Sequence, residues 1–212
     1  MKTAMKTLPH KALRLPRPTN PFSSRSVAPG AIPFFFREGQ SLSGLITAFE
    51  TAGRRGQIVG QHGTGKSTLL AALLPALENQ GYRVQSVTLH DGQRRLTKDF
   101  LERDDQQRTP GSKTILSIDG YEQLARLERW RINRFCRRQG WGLLVAVHAT
   151  VGLPTLYETE VSDALAIDIV HHLLRNRTFE ISTSEIAQSL IQQQGNLREL
   201  LFDLYDRYER VR

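Results

Sequence analysis

The stretch IVGQHGTGKSTLL, residues 58–70, decides the fold. Gly60 is followed by four residues and then by Gly65-Lys66-Ser67, the G-x-x-x-x-G-K-[ST] pattern of a phosphate-cradling loop. Gln57-Ile58-Val59-Gly60 reads as a short buried strand entering that loop, and Lys66 to Gln80 reads as the helix leaving it, stopped by Gly81. In that setting loop N–H groups and the helix N-terminus converge on negative charge. Gly60 permits the turn from strand to loop, and Gly63 and Gly65 let the backbone approach phosphate oxygens. Lys66 supplies positive charge to the β- and γ-phosphates, and Ser67 offers its hydroxyl to Mg²⁺. His62 contributes only its backbone in this reading.

Working outward, Leu42, Leu45, Ile46 and Phe49 recur at helical spacing and predict an amphipathic helix ended near Gly53. Residues 82–89, 115–119 and 142–150 read as strands, with a weaker fifth over 155–160. Pro75 is expected to kink the helix after the loop. The polar stretch 91–113 carries a helical piece around Phe100 and a turn at 109–112, and residues 121–139 read as one helix. Three helical stretches near 163–174, 184–194 and 197–209 follow. Alternating strands and helices followed by helices alone predict an α/β fold: a parallel five-stranded sheet sandwiched by helices, with a small C-terminal helical lid. The expected divisions are a basic, Pro-rich, mobile tail over 1–33, a core over 34–161 and a lid over 162–212.

Asp119 ends the apolar strand ILSID, at the carboxyl edge of the sheet, where it would hold Mg²⁺ through water. With these two motifs in place the chain resembles the P-loop nucleoside triphosphatases. Within them it is similar to the division with an additional strand between the loop strand and the Asp-bearing strand. Val87-Thr88-Leu89 is read as that additional strand. The resemblance implies ATP and Mg²⁺ as ligands, with Thr64 and Thr68 counted among the loop's nucleotide-binding residues. Relatives usually follow the aspartate with a catalytic glutamate; here Gly120 stands there, and the nearest acid is Glu122. Glu122 either reaches the attacking water or merely favours a helix N-terminus by its charge. His148 falls where relatives place a polar residue that senses the γ-phosphate; the alternative is a structural histidine. The segment GNLREL, residues 195–200, looks like the second sensor motif of AAA+ proteins, which makes Arg198 the lid arginine that reaches back to the nucleotide. The other reading of Arg198 is a surface ion pair.

Charge is unevenly spread. All six Lys and Arg of residues 1–33 stand without one acidic residue, so from residue 34 onward 23 basic residues face 21 acidic ones, and the net +8 is mostly a tail property. The tail is either an electrostatic arm or a solvated extension. Residues 121–139 carry Arg126, Arg129, Arg131, Arg134, Arg137 and Arg138 beside Trp130. That helix is a solvated face, a phosphate-backbone contact or a source of an arginine finger, so a protein or nucleic-acid partner and an oligomer are both compatible with the sequence. The single cysteine, Cys136, excludes an intramolecular disulfide, and no apolar run reaches a membrane span. A cytoplasmic setting is expected, although the acid-free start also fits an organellar transit peptide.

The first functional expectation is a Mg-dependent ATPase acting as a switch or remodelling motor. A P-loop kinase, with Asp91 as its base, and a nucleotide-holding module without turnover are the alternatives. No Asn-Lys-x-Asp segment supports a GTPase, no Leu-Ser-Gly-Gly-Gln supports an ABC transporter subunit, and adjacent His171 and His172 do not form a zinc site.

Overall fold

The computed structural model describes residues 19–96, 113–175 and 177–211. Strands β1 (Arg55–Val59), β2 (Tyr82–Thr88), β3 (Lys113–Asp119), β4 (Gly142–Val147) and β5 (Thr155–Glu158) form one five-stranded parallel sheet in the order β2-β3-β4-β1-β5. All positions of β4 are buried, as a central strand covered on both faces requires. Its residues alternate between two cores. Leu144 and Ala146 pack with Ile58 and Ile115 under α1 (Leu42–Thr51) and α2 (Lys66–Asn79). Leu143, Val145 and Val147 pack with Leu116 and Ile118 against Ile132 and Cys136 of α3 (Arg126–Gln139). Burial pushes the Cys136 thiol up to about 12, so it serves as a packed apolar group.

Two sequence expectations need correction here. The strand lying between loop strand β1 and Asp-bearing β3 is β4, not the Val87 segment, which belongs to edge strand β2. The burial fits the placement: β2, at the edge, is partly exposed along its length, whereas every position of β4, at the centre of the sheet, is buried. The helix expected over 121–139 is also interrupted. Tyr121–Gln123 form a single 3₁₀ turn, Leu124 is extended and drives its buried side chain into the α3-side core, and α3 begins only at Arg126. α2 runs through Pro75 as one helix. The expected helical piece at Phe100 and the turn at 109–112 lie outside the described residues.

Three further helices follow the sheet: α4 (Asp163–Leu173), α5 (Thr183–Gln192) and α6 (Leu197–Val211). Ser162 caps α4, and Ser182 with Glu185 forms a reciprocal capping box at α5. Their apolar faces meet around Ile169, Val170, Ile186, Leu190, Leu200 and Leu204. Residues 19–33, assigned to the tail from composition, pack against these helices instead. Phe22 is fully buried among them, edge-on to Phe179 and Tyr208, and Asn20 Nδ2 donates to the Tyr205 carbonyl (3.1 Å) and to Glu209 (2.9 Å). Pro21 and Pro29 forbid helix, as the sequence suggested, but they do not prevent a turn-rich segment from seating one aromatic in a neighbouring core. Among the described residues no helix is long and apolar enough to cross a membrane.

Candidate nucleotide site

The loop between β1 and α2 is held at both ends. Gly60 N donates to the Val147 carbonyl (3.1 Å), which fixes the loop over the carboxyl edge of the sheet. A Cβ at Gly60 would stand 2.0 Å from Thr159 Oγ1, so no larger residue fits this crossing without movement. Gly65 caps α2 in the left-handed conformation, φ +96°, and supplies no side-chain acceptor. The first N–H groups of α2 are therefore left to an anion.

Lys66 is buried, and its Nζ donates to the carbonyls of Gly60 (2.6 Å) and Gln61 (2.8 Å). Loss of solvation lowers its pKa, opposed by Asp119 and Glu122. Ser67 Oγ donates to Asp119 Oδ2 at 2.6 Å, which joins the first turn of α2 to the end of β3. These two oxygens are the hydroxyl and carboxylate expected to hold a metal. Thr68 lines the same cleft. Thr64 does not: its hydroxyl donates to the Gln61 carbonyl (2.8 Å) and meets Thr159 Oγ1 (2.7 Å), so only its backbone can serve a phosphate.

Glu122 sits on the 3₁₀ turn with Oε1 2.9 Å from His148 Nδ1. This is an ion-pair separation without a directed hydrogen bond, and both carboxylate oxygens are buried without a hydrogen-bond partner among the described residues. Burial lowers the His148 pKa, with Lys66 adding to the effect and Glu122 opposing it. The His62 ring lies against that of His148, centroids 3.6 Å apart. His62 thus contributes its side chain, which the sequence pattern gave no means of seeing. Gly120, in the place relatives give to glutamate, is left-handed (φ +79°), and a Cβ there would stand 2.9 Å from the Leu89 carbonyl oxygen. A side chain is unwelcome at 120, where Leu89 and Gln123 crowd the position.

The cleft of about 340 Å³ is closed by α6 and by the N-terminal segment. Arg198 lines it beside His62, Gly63, Lys66 and Asp119. Asn196, missed from the sequence, caps α6 by accepting from Arg198 N (3.1 Å). Its Oδ1 stands where a Cβ on Gly63 would be (1.8 Å), so the lid and the loop touch at a position only glycine permits. Val27, Ile32, Leu197, Leu201 and Phe202 make the far end apolar. Asp91 is exposed, accepts from Gln123 Nε2 (3.1 Å) and does not line this cleft. Among the described residues no group of three or more His, Cys, Asp or Glu is placed to hold a metal, His171 and His172 included.

Among solved structures the chain is similar to AMPPCP-bound DnaA from Aquifex aeolicus, with 19% identity and a TM-score of 0.51, over 81% of this chain and 61% of that one. It is also similar to a DNA replication initiation factor (18% identity, TM-score 0.48, 84% and 70% covered) and to C. elegans PCH-2 (14%, 0.49, 81% and 67%). The chain thus spans less than two thirds of that DnaA structure, 61% of its length. No protein-family model and no curated protein matches it. At this level of identity the likeness is one of fold alone, a P-loop AAA+-like α/β fold with an all-parallel five-stranded sheet.

Proposed function

We propose that the protein binds ATP with Mg²⁺, hydrolyses it, and uses the C-terminal helices to pass the nucleotide state to a macromolecular partner. The observation that carries this reading is the convergence of Lys66, the Ser67–Asp119 pair, His148 and Arg198 on one cleft, with Glu122 standing 2.9 Å behind His148. The apolar end suits a purine base. The loop and α2 N–H groups suit the phosphates, with Lys66 exchanging its two carbonyl acceptors for phosphate oxygens.

Ser67 and Asp119 fit Mg²⁺, which takes hard oxygen ligands and usually keeps few protein ones beside phosphate. When bound, the ion would neutralise charge on the β- and γ-phosphates. Glu122 is the chain's own base. Its carboxylate orients a water for in-line attack and accepts its proton as the new oxygen–phosphorus bond forms and the bond to the bridging oxygen breaks, leaving ADP and phosphate. His148 holds Glu122 until the γ-phosphate competes for the imidazole, and Arg198 brings the lid onto the same charge. A cytoplasmic setting is part of the proposal and rests on the lone, buried Cys136.

One observation favours a second reading, a nucleotide-holding switch without turnover: Gly120 removes the usual acid, and Glu122 is engaged by His148. Phosphate release from ATP with Mg²⁺, measured alone and with DNA, RNA or cell extract, separates the two. Loss of turnover in both Lys66→Ala and Glu122→Gln supports the ATPase. Tight ATP binding by the parent with no turnover under any condition supports the switch.

A further inference from the structure

A second cleft, of about 330 Å³, opens beside α3. Arg126, Arg129, Trp130 and Asn133 line it at helical spacing i, i+3, i+4 and i+7, and Val151 and Leu153 give it an apolar floor. Trp130 is 58% exposed, an unusual position for the largest side chain, and Leu127 beside it is 66% exposed. Arg134 stands 5.6 Å from the Trp130 ring centroid, which supports the indole by a cation–π contact.

The charge is one-sided. None of the residues lining the cleft is acidic, and on α3 six arginines face Glu128, which is itself 3.7 Å from Arg131. Arg129 Nε is buried without a hydrogen-bond partner among the described residues. The N-cap of α3 is Ala125, which has no side-chain acceptor, so the helix end adds positive potential beside Arg126.

We propose that this cleft binds single-stranded nucleic acid, with a phosphate taken by Arg126 and Arg129 and a base stacked on Trp130. Guanidinium groups suit phosphodiester oxygens, and an exposed indole over an apolar floor suits an unpaired base. A duplex offers the phosphates but keeps its bases stacked on one another. The site deepens the partner part of the proposed function. It adjoins the nucleotide site twice, through Tyr121 next to Glu122 and through Val151, which shortly follows His148. Any effect of occupancy on ATP turnover rests on the ATPase reading, whereas binding itself does not.

The test is binding of a labelled oligothymidylate of about 16 nucleotides to the full chain without nucleotide, followed by anisotropy and by tryptophan fluorescence. Only two tryptophans are present, and Trp141 is buried, so quenching reports Trp130. The parent should bind with quenching, Trp130→Ala should weaken binding roughly tenfold, and Trp130→Tyr should restore most of it. Arg126→Ala with Arg129→Ala should lower the salt slope by roughly 1 to 2. Unchanged affinity in Trp130→Ala, or equal binding of duplex without quenching, would overturn the proposal, since the basic N-terminal residues alone would then explain the affinity. Polyglutamate binding that depends on Trp130 while oligothymidylate binding does not would assign the cleft to an acidic protein and likewise overturn it. Failed ATP hydrolysis with intact oligonucleotide binding would count against the ATPase reading only.

Discussion

Glu122 Oε1 stands 2.9 Å from His148 Nδ1, so the residue after β4 and the turn after β3 meet through one close polar contact. The contact places the acid proposed to orient the water beside the residue expected to sense the γ-phosphate. On the ATPase reading, hydrolysis would require this pair to part, which would tie the state of the base to the occupancy of the loop.

The first prediction concerns that pair. His148→Ala should leave ATP affinity within a few-fold of the parent, because the phosphates are held by the loop and Lys66. Turnover should fall by about tenfold or more as Glu122 loses its orientation. Equilibrium binding of a labelled ATP analogue and steady-state phosphate release measure the two quantities separately.

Gly120→Glu, which restores the family's usual acid, should not raise turnover. The left-handed backbone and the 2.9 Å approach to the Leu89 carbonyl oxygen make any side chain at 120 strained. A loss of about 1–3 kcal/mol is expected, visible as a lower urea midpoint. Increased phosphate release at undiminished stability would show that the turn adapts.

Phe22→Ala should destabilise the C-terminal helices by about 3–5 kcal/mol, the usual cost of emptying a fully buried aromatic site. It should also weaken nucleotide binding, because Val27 and Ile32 of the same segment wall the cleft. Deleting residues 1–18 should do neither and should reduce only salt-sensitive binding to polyanions. Thermal melting and nucleotide titration of the two variants give the comparison.

The fourth prediction is a pH dependence. Burial lowers the folded-state pKa of His148 below its usual 6.5, so the unfolded chain binds more protons in that range. The neutral imidazole's contribution to stability is therefore complete above about pH 6.5 and is lost as the pH falls from there toward the folded-state value. Denaturant unfolding between neutral and mildly acidic pH should show this decline, and His148→Ala should flatten it. An identical decline in the variant would place the titrating group elsewhere.

The loop pattern, Asp119 and the run Gly142–Val147 were legible in the sequence because each depends on local chemistry. A glycine permits a turn, a carboxylate ends an apolar strand, and an unbroken apolar run must be buried on both faces. That is why the parallel α/β sheet and its helical end could be read before any coordinates, and why Lys66, Ser67 and Asp119 could be expected together. Strand order was not legible, since which strand neighbours β1 depends on which surfaces pack, and the Val87 segment was misplaced for that reason. Nor could composition reveal that Phe22 seats in a core formed by helices at the other end of the chain. The contacts of His62 with His148, of Asn196 with Gly63 and of Glu122 with His148 join residues far apart in sequence. Local propensity carries no information about such pairs; the tertiary structure decided them, because only packing of the sheet, the 3₁₀ turn and the lid brings those side chains within reach of one another.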